Sequence, residues 1–214
     1  MTAGRIEAEL KYWAASERPL LSLATAATLG PAKLGTPRTV DEVDRYLDTA
    51  DLRLGALRWA CRLRTREGRT VVSLKGPAEH PPGDPLHRRP EVEGPADTAL
   101  EPHAWPRSGA RELLLAMTGG QALGERFSLE QQRIERAVSI RGTPAGLLSL
   151  DRGSVMYRGA EIGRLAVVEL ELEPAAIADG LDYAPLAAAL AAVPELVADP
   201  SSKFERALAL LPQP

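Results

Sequence analysis

Glu169-Leu170-Glu171-Leu172-Glu173 is the stretch on which the reading of this chain turns. It follows the apolar run Leu165-Ala166-Val167-Val168. Alternation with period two predicts a β-strand. In a strand, residues i, i+2 and i+4 share a face, so the glutamates form a row with neighbours roughly 6–7 Å apart. A row of like charges repels itself unless cations stand nearby. Two destinations are open to it: the wet side of an antiparallel sheet, or an interior that supplies the cations.

A second alternating segment, Ile6-Glu7-Ala8-Glu9-Leu10-Lys11-Tyr12, places Glu7, Glu9 and Lys11 on one face. Leu57 to Arg64 reads as a strand of opposite sign, with Arg58, Arg62 and Arg64 sharing a face. Glu67-Gly68 turns it into Thr70 to Gly76, which carries Lys75. A further strand is expected around Arg89 to Glu93, with Glu91 and Glu93 spaced by two. Residues 131–140 read as a strand with Arg133 and Glu135 on one side and Arg136 on the other. Gly146 to Gly153 and Ser154 to Tyr157 read as a hairpin through Asp151-Arg152-Gly153. The last strand runs from Arg164 to Glu173 and is stopped by Pro174.

Helices are expected over residues 17–29, closed by Gly30-Pro31, and over 109–118, stopped by Gly119-Gly120. The alanine-rich stretch 175–210 reads as helical, with Pro185, Pro194 and Pro200 as punctuation. Ser201 or Ser202 is its candidate N-cap before Lys203, with Glu205 completing a capping box. Thr39-Val40-Asp41-Glu42 also has the capping-box form, but Arg45 to Thr49 suits a strand. About eight strands result, a number that closes a narrow barrel whose polar faces can point inward.

Composition narrows the function. A formal net charge of −3 gives no bulk attraction for nucleic acid. One cysteine, Cys61, excludes a disulfide framework and a cysteine zinc site. His80, His87 and His103 all fall in the Pro-rich stretch without metal-ligand spacing and read as loop residues. The polar N-terminus does not read as a signal peptide, and no apolar run has the length of a membrane span. A cytoplasmic protein without membrane or nucleic-acid partners is expected.

Sorted by sign, the alternating faces offer acids Glu7, Glu9, Glu169, Glu171 and Glu173, and bases Lys11, Arg58, Arg62, Arg64, Lys75 and Arg133. Carboxylate oxygens suit hard cations such as Mg²⁺ or Mn²⁺. Arginine forks match phosphate oxygens, and lysine adds a point charge. A linear polyphosphate bound with a divalent metal would use both halves. The alternative is a set of solvated faces joined by weak cross-strand ion pairs.

These segments resemble the CYTH domain, the triphosphate tunnel metalloenzyme family. Glu7-Ala8-Glu9-Leu10-Lys11 matches its ExExK signature. Tyr46-Leu47-Asp48-Thr49-Ala50-Asp51-Leu52-Arg53-Leu54 is similar to its "YFDTPDLRL" stretch, with Ala50 in place of the usual proline. Arg62-Leu63-Arg64 and Val72-Ser73-Leu74-Lys75-Gly76-Pro77 are similar to its "LRxR…LKGP" hairpin. Leu150 to Gly153, Glu169 to Glu173 and Ser202-Lys203 complete the order, so the resemblance spans about residues 5–211. Residues 131–136 match its Arg-rich strand in part.

The resemblance implies a mainly β, α+β fold: a single domain over residues 1–214 built as an eight-stranded antiparallel β-barrel tunnel with peripheral helices. It implies that Glu7, Glu9, Glu169 and Glu171 hold Mg²⁺ or Mn²⁺, with Glu173 behind them. Lys11, Arg62, Arg64, Lys75, Arg133 and Lys203 would grip a small triphosphate. The catalytic set would be Glu7, Glu9, Lys11 and Lys75. The expected activity is hydrolysis of inorganic tripolyphosphate, or next of thiamine triphosphate. The family's adenylate cyclase chemistry and a non-catalytic polyphosphate-binding module are the alternatives. The Pro-rich segment 77–106 and the tail from about 175 are candidates to cover a tunnel mouth or to form a homodimer contact.

Overall fold

The structure is a computed structural model that describes residues 4–79, 86–199 and 201–212. His80 and Pro200 lie outside the described residues. The order of elements is β1 (Arg5–Ala14), α1 (Arg18–Thr25), β2 (Thr28–Leu29), β3 (Ala32–Leu34), β4 (Arg38–Thr49), α2 (Arg53–Ala56), β5 (Ala60–Arg66), β6 (Arg69–Lys75) and β7 (Leu86–Pro95). A short 3-10 turn at Pro102–Ala104 precedes α3 (Gly109–Thr118), β8 (Leu123–Ile140), β9 (Thr143–Tyr157) and β10 (Ala160–Leu172). The chain ends with α4 (Pro174–Ala178), α5 (Ala184–Ala191), β11 (Leu196–Ala198) and α6 (Lys203–Leu210).

Eight strands pair in the order β8-β4-β5-β6-β7-β1-β10-β9, and β9 pairs back onto β8. The ring is closed and wholly antiparallel, as the family resemblance implies. Three short strands extend it: β2 and β3 beside β8, and β11 beside the end of β1.

The outward rows form the core. Leu10, Val168, Leu170 and Leu172 are fully buried beneath Leu20 and Leu23 of α1 and Leu186 and Leu190 of α5. Each such side chain contributes roughly 1.5–3 kcal/mol on leaving water. Leu63, Val72 and Leu74 are covered by Ala110 and Leu114 of α3 and by Trp105. Trp105 thus brings the segment after β7 onto the barrel wall, and its Nε1 donates to the Ala99 carbonyl at 2.8 Å. A third cluster lies on the inward face at the end where α6 meets the barrel: Tyr46, Phe127 and Phe204 pack together, with Tyr46–Phe127 centroids 4.8 Å apart.

Several local expectations change. The helix over 17–29 stops at Thr25, and Thr28–Leu29 instead pairs with Ala32–Lys33 about Gly30, whose φ of +53° suits glycine. The Thr39–Glu42 capping box is overridden. A cap contributes about 1 kcal/mol, whereas β4 pairs with β8 from Arg38 to Thr49 and with β5 from Glu42 to Leu47. Asp151-Arg152-Gly153 is no turn, because β9 runs unbroken through it and pairs with β10 on one side and β8 on the other. The 175–210 region holds three helices and the strand β11.

Candidate active site

The inward faces enclose a cavity of about 650 Å³, lined by side chains of both signs. β1 supplies Glu7, Glu9 and Lys11, and β10 supplies Glu169 and Glu171. Their register sets Glu9 opposite Glu171 and Lys11 opposite Glu169. Arg62, Arg64 and Lys75 enter from the β5–β6 hairpin, Arg133 from β8, and Lys203 from the start of α6. The structure therefore gathers every residue of the expected metal-binding and phosphate-binding sets around one cavity.

These side chains pair with one another. Lys11 Nζ donates to Glu9 Oε1 at 2.7 Å and stands 3.6 Å from Glu169. Lys75 Nζ donates to Glu7 at 2.6 Å and lies 3.0 Å from Glu91. Lys203 Nζ donates to Glu169 at 2.7 Å and also to Asp151. Arg89 bridges Glu7 at 2.6 Å and Glu9 at 3.0 Å.

Glu42, Asp44 and Asp151 hold the arginines directly. Arg64 forks onto Asp44 at 2.6 and 2.7 Å and is 3.0 Å from Glu42. Arg133 forks onto Asp151 at 2.7 and 2.8 Å. Arg62 lies 3.6 Å from Asp44 and donates to Ser73 Oγ, which donates in turn to Glu93 at 2.5 Å. Planar forks held on both oxygens of a carboxylate are pre-oriented.

The charges shift one another's protonation. Burial pushes the Glu7 carboxyl up, but Lys75 and Arg89 outweigh it and hold Glu7 well below the usual carboxylate range. Burial likewise opposes ionisation of Glu169, and Lys203, Lys11 and Arg133 overcome it. Asp44 and Asp151 are lowered against their burial by Arg62 with Arg64 and by Arg133 with Lys203. Glu171 goes the other way. Burial raises it, Arg5 pulls it back, and Glu7 and Glu91 add to the rise.

Local structure explains the placements. Ser202 caps α6: its Oγ accepts from Glu205 N at 3.1 Å, while the Glu205 carboxylate accepts from Ser202 N at 2.7 Å. This fixes Lys203 at the first helical position, with its amine in the cavity. The Asp48-Thr49 stretch is structural. Asp48 accepts from the N–H groups of Thr49, Leu54 and Gly55 at 2.8, 2.9 and 3.0 Å, holding α2 against the end of β4.

Two expected placements are corrected. Glu173 lies beyond β10, exposed at the start of α4, because Pro174 has ended the strand row. Arg58 does not share the strand face of Arg62 and Arg64; it precedes β5 with φ +60°, although it still borders the cavity. Arg136, on the opposite face from Arg133, is buried and donates to the carbonyls of Leu23, Ala26 and Gly35 at 2.8, 2.5 and 2.9 Å. It fastens α1 and its following loop to the barrel.

Sequence reasoning missed Arg5, Glu42, Asp44, Arg66, Arg89 and Asp151 as partners in this network. Glu42, Asp44 and Tyr46 do alternate, but the capping-box pattern masked them. Asp151 was hidden in an apparent turn.

The sequence pattern of the CYTH domain matches residues 5–206. The chain belongs to the CYTH domain family. The CYTH fold is also seen in solved structures. A Hippeastrum protein, described as a proposed adenylyl cyclase with a dominant triphosphatase activity, superposes with a TM-score of 0.67 at 21% identity, covering 97% of this chain and 98% of its own. A proposed adenylate cyclase from Bacillus halodurans gives 0.54 at 24% identity, covering 79% and 82%. A Pyrococcus horikoshii protein gives 0.52 at 16%, covering 95% and 98%. No curated protein matches.

Four lumen carboxylates on neighbouring strands are chemically suited to a hard divalent cation. As the side chains stand, no group of three or more His, Cys, Asp or Glu among the described residues is arranged to hold one. Each of these carboxylates is turned to a lysine or arginine instead. Ligation would be a change of partner, not the building of a new site.

Proposed function

We propose that this CYTH protein hydrolyses a small triphosphate with the help of a divalent metal in its barrel cavity. The observation that carries this reading is the two-signed lumen. A β1–β10 wall presents Glu7, Glu9, Glu169 and Glu171, and Arg62, Arg64, Arg133 and Lys203 line the same cavity.

In this reading, Glu7, Glu9, Glu169 and Glu171 hold Mg²⁺ or Mn²⁺. The ion would supply charge neutralisation at phosphoryl oxygens and a more acidic water. Arg62, Arg64, Arg133 and Lys203 grip the phosphate chain, oriented by Asp44 and Asp151. Lys11 and Lys75 leave Glu9 and Glu7 to meet charge developing on the transferred phosphoryl group. Glu7 and Glu9, released by those lysines and still bridged by Arg89, would hold the ion. Water forms a new P–O bond as the anhydride P–O bond breaks. The products from tripolyphosphate are orthophosphate and pyrophosphate.

Inorganic tripolyphosphate is the first candidate, because every group assigned to the substrate is a cation suited to phosphate oxygens. Thiamine triphosphate is the second. The names of the Hippeastrum and Bacillus halodurans relatives favour keeping a second activity in view, cyclisation of ATP, in which the substrate's own hydroxyl replaces water. The test is incubation with Mg²⁺ or Mn²⁺ and, in turn, tripolyphosphate, thiamine triphosphate and ATP, with product identification. Orthophosphate release supports hydrolysis. Cyclic AMP with pyrophosphate supports the cyclase, and binding without turnover of any of the three leaves a polyphosphate-binding module.

A further inference from the structure

Arg5 opens β1, two residues before the first glutamate of the ExExK stretch. Its Cα is registered opposite Glu91 of β7. Its guanidinium reaches both flanking strands: Nη2 donates to Glu91 at 2.7 Å, and Nη1 lies 2.9 Å from Glu171 on β10. The side chain therefore straps β7 to β10 across β1, at the end of the cavity where β1 begins.

We propose that Arg5 is a stand-in cation that holds Glu171, competes with a divalent ion for it and yields it when that ion binds. This rests on the hydrolase reading above. Three features single Arg5 out. Its side chain is 47% exposed, while those of Lys11 and Lys75 are 2% and 12% exposed. An exposed guanidinium returns to water at little cost, whereas a buried ammonium that loses its partner incurs a large desolvation penalty. Glu171, at 34%, is the most exposed of the four carboxylates and is the one Arg5 touches. Glu171 also faces Glu9 directly across the strand pair, where two like charges need a cation between or beside them.

Arg5 thus occupies Glu171 by an ion pair that is cheap to break. It competes with the metal for the carboxylate. A second anchor, Glu91, stays with Arg5 and Lys75 when Glu171 is released.

The test is Mn²⁺ binding to the full chain without substrate. It is read by calorimetry and by the electron paramagnetic resonance signal of free Mn²⁺, for the wild type, Arg5→Gln and Arg5→Lys. Loss of a half-exposed competing pair should tighten Mn²⁺ binding about threefold in Arg5→Gln, with Arg5→Lys between it and the wild type. A merely structural role would weaken binding instead. Unchanged or weaker binding by a variant with wild-type circular dichroism and melting temperature overturns the assignment. So does a variant that binds Mn²⁺ normally but loses affinity for imidotriphosphate, which would make Arg5 a phosphate ligand. A wild type that binds no Mn²⁺ overturns the metal site itself, and Arg5's role with it.

Discussion

Glu9 and Glu171 stand directly opposite each other across the β1–β10 pairing, on the cavity side of the barrel. Opposed side chains in an antiparallel pair have Cβ atoms roughly 4.5–5.5 Å apart, and like charges there are destabilising. The barrel tolerates the pair because Lys11 and Arg89 hold Glu9 and Arg5 holds Glu171. The predictions below follow from that electrostatic layout.

Removing a cation that the proposed function assigns to the substrate should weaken substrate use. Arg62→Ala and Lys75→Ala should each lower kcat/KM by about 10- to 100-fold, the equivalent of one lost charge-assisted hydrogen bond of roughly 1.5–3 kcal/mol. Steady-state kinetics with tripolyphosphate checks this.

Asp151 is buried between Arg133 and Lys203. Asp151→Asn removes the forked partner of Arg133 and one of the two carboxylates on Lys203, while Glu169 stays with Lys203 and Glu42 with Arg133. A lost charge-assisted hydrogen bond of this kind costs about 1.5–3 kcal/mol. Urea denaturation should show a drop of that size.

Ser202→Ala should cost about 1 kcal/mol by removing one half of the α6 capping box. It should also raise KM, because Lys203 takes its position from that first turn. A variant that lost stability with KM unchanged would separate Lys203's placement from the cap.

Stability should depend on acid in a defined sense. Glu7, Asp44, Asp151 and Glu169 all lie below the ordinary carboxylate range in the fold. Their unfolded values are about 4. The stability they confer is complete above that value and is lost as pH falls below it. Glu171 is raised and acts in the opposite direction: its ionisation, as pH rises through its folded value, takes a little stability away. Thermal melts from pH 7 to pH 3 should therefore be nearly flat until about pH 4.5 and then fall steeply.

Much of this layout was legible in the sequence because period-two alternation survives in a barrel. Glu7-Glu9-Lys11, Arg62-Arg64 and Glu169-Glu171 could each be assigned one face, and the closed ring uses those faces inward. Partner-dependent features were not legible. Asp44 and Asp151 are recognised only once β4 and β9 run past β5 and β8, because each acid's meaning is the arginine beside it. Locally, Thr39–Glu42 has the form of a helix start and Asp151–Gly153 the form of a turn. Pairing with β8 outweighed the first signal, and pairing with both β8 and β10 outweighed the second. Glu173 failed for the converse reason: the alternation continues through it, but β10 ends at Leu172 and Glu173 becomes the N-cap residue of α4.

The central claim is that the lumen carboxylates hold a metal needed for turnover. The most direct measurement is orthophosphate release from tripolyphosphate by the wild type and by Glu171→Gln, across a titration of Mg²⁺ or Mn²⁺ and with EDTA. The account predicts metal-dependent release by the wild type. It predicts loss of that release in EDTA and no turnover by a Glu171→Gln protein that melts like the wild type. Full activity in Glu171→Gln, or turnover undiminished by EDTA, would contradict it.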